Sequence, residues 1–321
     1  MSTEILEYFY TTEWNLELLK NLPFKESIKS HFPLIVSSMS SFKSNSLSLT
    51  FENFKQNKKR MSPTILLDSW GGGYTRRISE YLGTTNETMI INANCSSSIY
   101  SFYLAGLVSL DKKLPVIVVC ADNLNDDFDF YRFNNLGAMD NSTGIPFDSS
   151  SKGFRMGKGI SVFLVKNSRV NFTNPAKACI NQTAFWTNNS LTNPGTSDEI
   201  INNIKGINYN VFDFWNAHAP GTILGDRTEY EYFSKVISKD IPIVSYKTYI
   251  GHCMTASGAL EIAMSLEDRE NNILRPNKIK TEKIVNDDRI ITELTSFSYR
   301  RMFKSTLGFG GKIAVADISF F

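Results

Sequence analysis

Histidine is scarce, with three in 321 residues, and the four cysteines stand far apart. Cys95, Cys120, Cys179 and Cys253 make no CxxC pair, which speaks against a zinc ribbon and, at this length, against a disulfide framework. An excess of one charge is also missing. The 34 basic and 32 acidic side chains leave a formal charge of +2, so there is no broad electrostatic case for nucleic acid. No apolar run reaches the ~20 residues that span a bilayer. The start, MSTEILEYFYTTEWNLELLK, lacks a basic segment followed by an apolar one and does not read as a secretory signal. No repeat of fixed period and no low-complexity tract is present. A soluble, cytoplasmic protein with reduced thiols is expected. At roughly 150 residues per domain, the length suits two domains or one with a doubled core.

Residues 1–62 are mixed: an amphipathic start, the apolar stretch Pro33-Leu34-Ile35-Val36, a Ser-rich loop over Ser37–Ser48 and a basic run over Lys55–Arg60 that reads as a solvated helix end. Thr64–Leu67 then runs into the turn Asp68-Ser69-Trp70-Gly71-Gly72-Gly73. Met89–Ala93 reads as a buried strand. Ile99–Leu110, apolar on almost every face, reads as a central buried helix, and Leu114–Cys120 as a second strand. Strand, sharp turn, buried helix and strand make a β-α-β unit in a sheet covered on both faces. Residues 121–157 look loop-rich, and Ile160–Val165 is a strand. After a polar middle section come strand-like Tyr209–Trp215, helix-like Glu229–Ile237, strand-like Ile241–Ser245, helix-compatible Ala256–Leu266 and a final strand, Ile313–Ile318. The order argues an α/β fold with mainly parallel central strands.

Cys95 closes a strand and opens the buried helix. The free N–H groups and dipole of a helix N-terminus stabilise a thiolate and can hold an oxyanion. Taken alone, such a cysteine is more often a small residue filling the turn. His31, between Ser30 and Phe32, has no chemical context and reads as structural. His218 follows the strand-like Val211–Trp215 in the loop Asn216-Ala217-His218-Ala219-Pro220-Gly221-Thr222, and His252 precedes the small-residue stretch Thr255–Ala259. Two histidines and a cysteine, all at strand-to-loop junctions, point to a thiolate site with imidazole partners. A metal site is the weaker reading, because no carboxylate or second cysteine stands at ligand spacing to either histidine.

Five blocks in one order resemble the β-ketoacyl synthases, the condensing enzymes of fatty-acid and polyketide synthesis. They are Asn94-Cys95-Ser96-Ser97-Ser98; Pro146-Phe147-Asp148 with Gly153-Phe154-Arg155-Met156-Gly157; Asn216-Ala217-His218 with Gly225-Asp226; Lys247 with Gly251-His252; and Gly308-Phe309-Gly310-Gly311. The resemblance implies the thiolase fold, layered α-β-α-β-α with two mixed five-stranded sheets. It implies a single ketosynthase-like domain over 1–321, with an N-terminal half of about 1–166 and a C-terminal half of about 167–321, normally dimeric. By the same resemblance Cys95 takes the acyl chain from an acyl carrier protein, while His218 and His252 support malonyl decarboxylation. Lys247 is an electrostatic organiser. The N–H groups of Cys95 and Phe309 form the oxyanion hole, Phe309 also gates the site, and Thr222 contacts pantetheine. No metal is implied, and no cofactor beyond the carrier's phosphopantetheine.

Three departures from the family pattern bear on function. Lys152 and Lys158 stand where the family has carboxylates around Lys247, so Lys247 is expected to lose its partners, with a displaced loop or a deprotonated or solvated ammonium. Pro220 replaces a threonine in the pantetheine loop. The chain before Cys95 is short, so the N-terminal half is expected to be reduced and to lack its first strand. A condensing enzyme of a type II polyketide or fatty-acid system is the leading reading. The alternatives are a chain-length-factor-like partner in a heterodimeric ketosynthase, and an acyltransferase or thioester hydrolase on the same fold. Phe102, Phe133 and the surroundings of Tyr131 are candidate pocket-lining residues.

Overall fold

The computed structural model describes residues 1–39, 71–123, 127–140, 142–188, 197–204, 206–238 and 240–321. Most of the Ser-rich loop, the Lys55–Arg60 run, Thr64–Leu67 and the start of the Asp68–Gly73 turn lie outside the described residues. The strands are β1 (Thr3–Thr11), β2 (Leu34–Ser37), β3 (Thr88–Ile91), β4 (Val116–Asn123), β5 (Lys158–Asn167), β6 (Ala178–Thr187), β7 (Phe214–Asn216), β8 (Ile243–Val244), β9 (Ile273–Leu274), β10 (Thr295–Ser296), β11 (Arg301–Gly308) and β12 (Lys312–Phe320). The helices are α1 (Gly71–Leu82), α2 (Ser97–Lys112), α3 (Asp127–Asn135), α4 (Ser197–Asn203), α5 (Ile223–Phe233), the single turn α6 (Lys247–Ile250) and α7 (Ser257–Glu270). Among the described residues, no helix is long and apolar enough to cross a membrane.

The first five strands lie in the order β3-β2-β4-β5-β1, and a second five in the order β8-β7-β11-β12-β6. Counted along the chain within each half, both are third, second, fourth, fifth, first. In each, the fifth strand (β5 or β12) runs antiparallel to both neighbours, and the second is parallel to the third and fourth. The fold is therefore doubled although the sequence shows no repeat. A short antiparallel join, Thr3↔Ile180 to Ile5↔Ala178, links the halves through β1 and β6.

Strand alternation builds the layers. Along β4, Val116, Val118 and Cys120 enter one apolar cluster, and Ile117, Val119 and Ala121 enter another. Along β12, Ala314, Ala316 and Ile318 join that first cluster, and Ile313 and Val315 join a third. The shared cluster holds Ile99, Phe102 and Ala105 of α2 with Leu260 and Ile262 of α7, so these two helices form the middle layer between both halves. Tyr74, Ile78 and Leu82 of α1, spaced to share one helix face, cover the outside of the first half, and Tyr232 and Phe233 of α5 cover the second. The result is α-β-α-β-α.

Several expectations need correction. The strand read as buried over Met89–Ala93 is β3, Thr88–Ile91, which alternates between exposed and half-buried, and the pairing is mixed rather than mainly parallel. The missing first strand is present: β1 is Thr3–Thr11, it buries Ile5 toward the middle layer and Leu6 toward the outer one, and the N-terminal half has all five strands. Its burial alternation is broken by a shift between Ile5 and Glu7, which hid the period of two. The polar middle section contains the ten-residue strand β6, most of whose length is only half-buried. The strand expected over Tyr209–Trp215 is only Phe214–Asn216, after a 3-10 turn at Tyr209–Val211. Finally, α2 is not covered all round, since Tyr103, Leu107 and Leu110 are each 38% exposed.

Candidate active site

The turn before α2 presents Cys95. Asn94 sits at φ 53, a left-handed conformation that reverses the chain between the bridged residues Ala93 and Cys95. Ser97 Oγ fixes the turn by accepting from Ala93 N–H at 2.7 Å and donating to the Asn94 carbonyl at 2.6 Å. The β11–β12 hairpin closes onto this turn, with Asn94 Nδ2 donating to the Phe309 carbonyl at 2.8 Å. A side chain at Gly308 would put its Cβ 3.3 Å from the Cys95 nitrogen, so glycine there allows the approach.

His252 is held by the Gly153–Gly157 block, two motifs far apart in sequence. It bridges Met156, donates from its backbone N–H to the Arg155 carbonyl at 2.7 Å and accepts from Gly157 N–H at 3.1 Å. Gly251, at φ 71, makes this possible because a Cβ would lie 2.8 Å from the Met156 carbonyl. Ser257 Oγ accepts from Cys253 N–H at 2.8 Å and lies 2.9 Å from His252 Nδ1. With Nδ1 taking the hydroxyl proton, the ring hydrogen is assigned to Nε2, which faces Cys95 Sγ at 3.2 Å.

His218 completes the cluster, its ring centred 5.2 Å from that of His252 and nearly perpendicular to it. Its backbone is gripped by charged groups. Its N–H and that of Ala219 donate to the two oxygens of Glu229 at 2.8 and 2.6 Å, and its carbonyl accepts from Lys247 Nζ at 2.6 Å. Its buried Nδ1 has no hydrogen-bond partner among the described residues. The Sγ and ring nitrogens of Cys95, His218 and His252 lie within 4.8 Å of one another, and among the described residues these three could hold a soft metal ion.

Burial dominates the electrostatics. It pushes both imidazoles well below their ordinary range, with the Lys247 ammonium adding to the effect. It pushes the Cys95 thiol up to about 12, against the opposing Lys247 charge and the N–H groups of Cys95 and Phe309 directed at the sulfur. Asp226 is raised to about 7 by burial while accepting from the N–H groups of Phe147 at 2.8 Å and Gly221 at 3.1 Å.

The expectation for Lys247 is corrected. It keeps a carboxylate, that of Glu261 on α7, in a pair where both side chains are almost fully buried. Lys152 is exposed, Lys158 is half-buried at the start of β5, and neither is paired with it. Thr222 is the half-buried N-cap residue of α5. Phe309 lies on the hairpin, 36% exposed, with its ring stacked on Phe133 at 6.4 Å. Phe133 meets Phe154 edge-on at 5.4 Å, and Phe154 meets His252 at 5.2 Å. Two lining candidates fall elsewhere: Phe102 packs on Phe163 in the middle layer, and Tyr131 is 63% exposed. His31 is exposed against Phe32, apart from the cluster.

Sequence reasoning missed Glu229, Glu261, Lys304 and Met254. Met254, at φ 42, places Sδ 3.8 Å from Cys95 Sγ, inside an apolar cluster with Met39, Met139 and Met156. A surface cleft of about 770 Å³ around Tyr8, Lys25 and Glu270 holds none of the site residues. Cys95 itself is closed over at 2% exposure.

Family models give this geometry its context. The model of the β-ketoacyl synthase N-terminal domain matches residues 17–170, and that of the C-terminal domain matches 196–278. The chain belongs to the β-ketoacyl synthase family. Among curated relatives, Highly reducing polyketide synthase 19 of Pyricularia oryzae is 30% identical over 224 residues, 61% of this chain and 9% of that protein. The chain thus spans about a tenth of the length of the curated relatives it matches first. Two solved structures share the fold, each with a TM-score of 0.78 and covering 94% of this chain. They are the ishigamide ketosynthase/chain length factor (19% identical, 78% of that chain) and a type II PKS acyl-carrier protein in complex with its ketosynthase (16% identical, 81% of that chain). This thiolase-type ketosynthase fold starts earlier than the family match, since β1 precedes residue 17.

Proposed function

We propose that the chain is a condensing ketosynthase that joins an acyl group to a malonyl-derived unit, both delivered on the phosphopantetheine of an acyl carrier protein. The observation that carries this reading is the single cluster of Cys95, His218 and His252, with Nε2 of His252 3.2 Å from the sulfur and the N–H groups of Cys95 and Phe309 directed at it. In the first half-reaction Cys95 sulfur attacks the carrier thioester. The carrier thiol leaves and takes up the proton that Cys95 gives, so the exchange is balanced. In the second, malonyl-carrier loses CO2, and the enolate oxygen is held by the neutral imidazoles, with Nε2–H of His252 as donor. The enolate carbon attacks the acyl-Cys95 carbonyl, whose oxyanion accepts from the N–H groups of Cys95 and Phe309. Cys95 thiolate departs and is reprotonated from solvent, leaving a β-ketoacyl chain on the carrier.

Lys247 organises the imidazoles through the His218 carbonyl, Thr222 contacts pantetheine, and Phe309 gates entry. The four cysteines are free thiols, in keeping with a cytoplasmic setting. A second ketosynthase subunit, identical or not, covers β3, an edge strand among the described residues, with Ile90 (45% exposed) and the α2 stripe of Tyr103, Leu107 and Leu110. A second reading, the non-condensing chain-length-factor role, is favoured by one observation: Met254 packs directly on the sulfur. Intact-mass spectrometry after incubation with acyl-carrier protein separates the two. The condensing reading expects an acyl adduct on the wild type and none on Cys95→Ala. No adduct on the wild type, alone or with a partner ketosynthase, overturns it. An adduct that turns over to free acid without extender favours the hydrolase.

A further inference from the structure

The condensing reaction has no task yet for the second lysine buried beneath its imidazoles. Lys304, on β11, is 0% exposed and places Nζ 2.6 Å from Glu261 Oε2, while Lys247 takes the other oxygen of the same carboxylate. Lys304 also donates to the carbonyls of Ser305 at 2.9 Å and Asn216 at 3.3 Å. On the other side Glu229, buried on α5, accepts from the N–H groups of His218 and Ala219 and from Ser305 Oγ at 2.6 Å. The β7–β11 ladder ends at the pair Lys304↔Asn216, so the chain that carries His218 runs beyond its strand partner. Beyond Asn216, side-chain ammonium and carboxylate groups take the place of the β11 partner, while on the β8 side Ala217 N–H still donates to the Val244 carbonyl at 2.8 Å. With Lys247, Lys304, Glu229 and Glu261 all ionised the four buried groups sum to zero, and burial pulls Lys304 down and Glu229 up toward their neutral forms. Without Lys304 they leave one uncompensated negative charge beside His218.

We propose that Lys304 is a positioning residue for the imidazole pair: with Glu261 it fixes the Asn216–His218 backbone, and it balances Glu229 so that His218 is held as an uncharged ring. The charged and titratable groups around the His218 segment are Cys95 and His252 across the site, Lys247 of α6 and Lys304 of β11, the Glu261 carboxylate of α7 that joins these two lysines, and Glu229 of α5 with its neighbour Asp226. Burial is the main reason the His218 ring resists protonation, and the ammonium groups of Lys247 and Lys304 add to it. Removing one of them while Glu229 stays moves the ring toward protonation.

The inference rests on the condensing reading, so its test has two readouts. CO2 release from malonyl-carrier is followed against pH for the wild type, Lys304→Met and the charge-balanced Glu229→Gln/Lys304→Met, while intact mass follows Cys95 acylation. A lost backbone constraint of this kind costs roughly 10- to 100-fold in kcat with KM within about twofold. Lys304→Met is expected to show that loss and an acid limb that the wild type lacks, and the double variant to recover the wild-type pH profile. An unchanged kcat and profile in Lys304→Met overturns the inference, as does a double variant with the same acid limb as the single one. Should Lys304→Met fail to give a cooperative melt, Lys304→Gln, which removes the ammonium but keeps donors for the Asn216 and Ser305 carbonyls, takes its place, and a wild-type pH profile in that variant likewise overturns the inference. A wild type that forms no acyl adduct overturns the condensing reading itself, and this inference with it.

Discussion

Cys95 meets a hydrogen-bond donor in His252, and burial keeps its thiol protonated in the closed site. Its reactivity then depends on what admits substrate and desolvates with it. Met254, in contact with the sulfur, is the nearest obstacle. Met254→Ala is expected to speed iodoacetamide labelling of Cys95 on the order of tenfold, because access and thiolate character together set thiol reactivity. An unchanged labelling rate means that Met254 does not shield the sulfur. The buried titrating groups also shape stability. His218 and His252 stay neutral in the fold while the unfolded chain protonates them below about 6.5, so their contribution falls as pH drops through that value. Asp226 works the other way. Its folded pKa of about 7 lies above the unfolded value, so the stability it contributes at low pH is lost as pH rises toward 7. Asp226→Asn removes that dependence. Its Tm relative to wild type should improve between pH 5 and pH 8, and a constant difference contradicts the raised value.

At the scale of elements, legibility followed locality. The Cys95 turn, the helix after it and β4 could be read because one short stretch carries strand, turn and buried helix. His252 could be read as a junction residue and Gly153–Gly157 as a motif, but that the one clamps the other shows only once the chain is folded. Glu229, Glu261 and Lys304 look like ordinary surface charges in sequence, and only the packing of α5, α7 and β11 around His218 makes them partners. β6 escaped notice because only its first three residues are fully buried, the next six are half-buried and the last is exposed. The incomplete cover of α2 carries its own prediction. Leu107→Glu or Ile90→Lys, at exposed apolar positions, should shift light-scattering mass from dimer to monomer with little change in Tm. A wild type that is monomeric at all concentrations rules out that use of the surface.

The whole molecule shows why length misled. Two halves repeat one strand order and one reversed fifth strand, but with different residues in each, so no sequence period betrays the duplication. The compact N-terminal half still contains five strands, because β1 uses the first residues of the chain and sits where the halves join. This architecture brings the first half's Cys95 against the second half's His218, His252 and Phe309, and the site exists only when both halves are folded together. Gly308→Val, at the hairpin that reaches across, should therefore reduce acyl transfer about 100- to 1000-fold by displacing the Phe309 N–H, the cost of losing one oxyanion donor. An intact-mass time course that matches wild type contradicts that role for the hairpin. The central claim is carbon–carbon bond formation at Cys95, and the most direct measurement is the mass of the carrier protein after incubation with acyl-carrier, malonyl-carrier and the chain. The account predicts a β-ketoacyl carrier with the wild type and none with Cys95→Ala. A Cys95-acylated wild type that never yields that product, with or without a partner subunit, would contradict it.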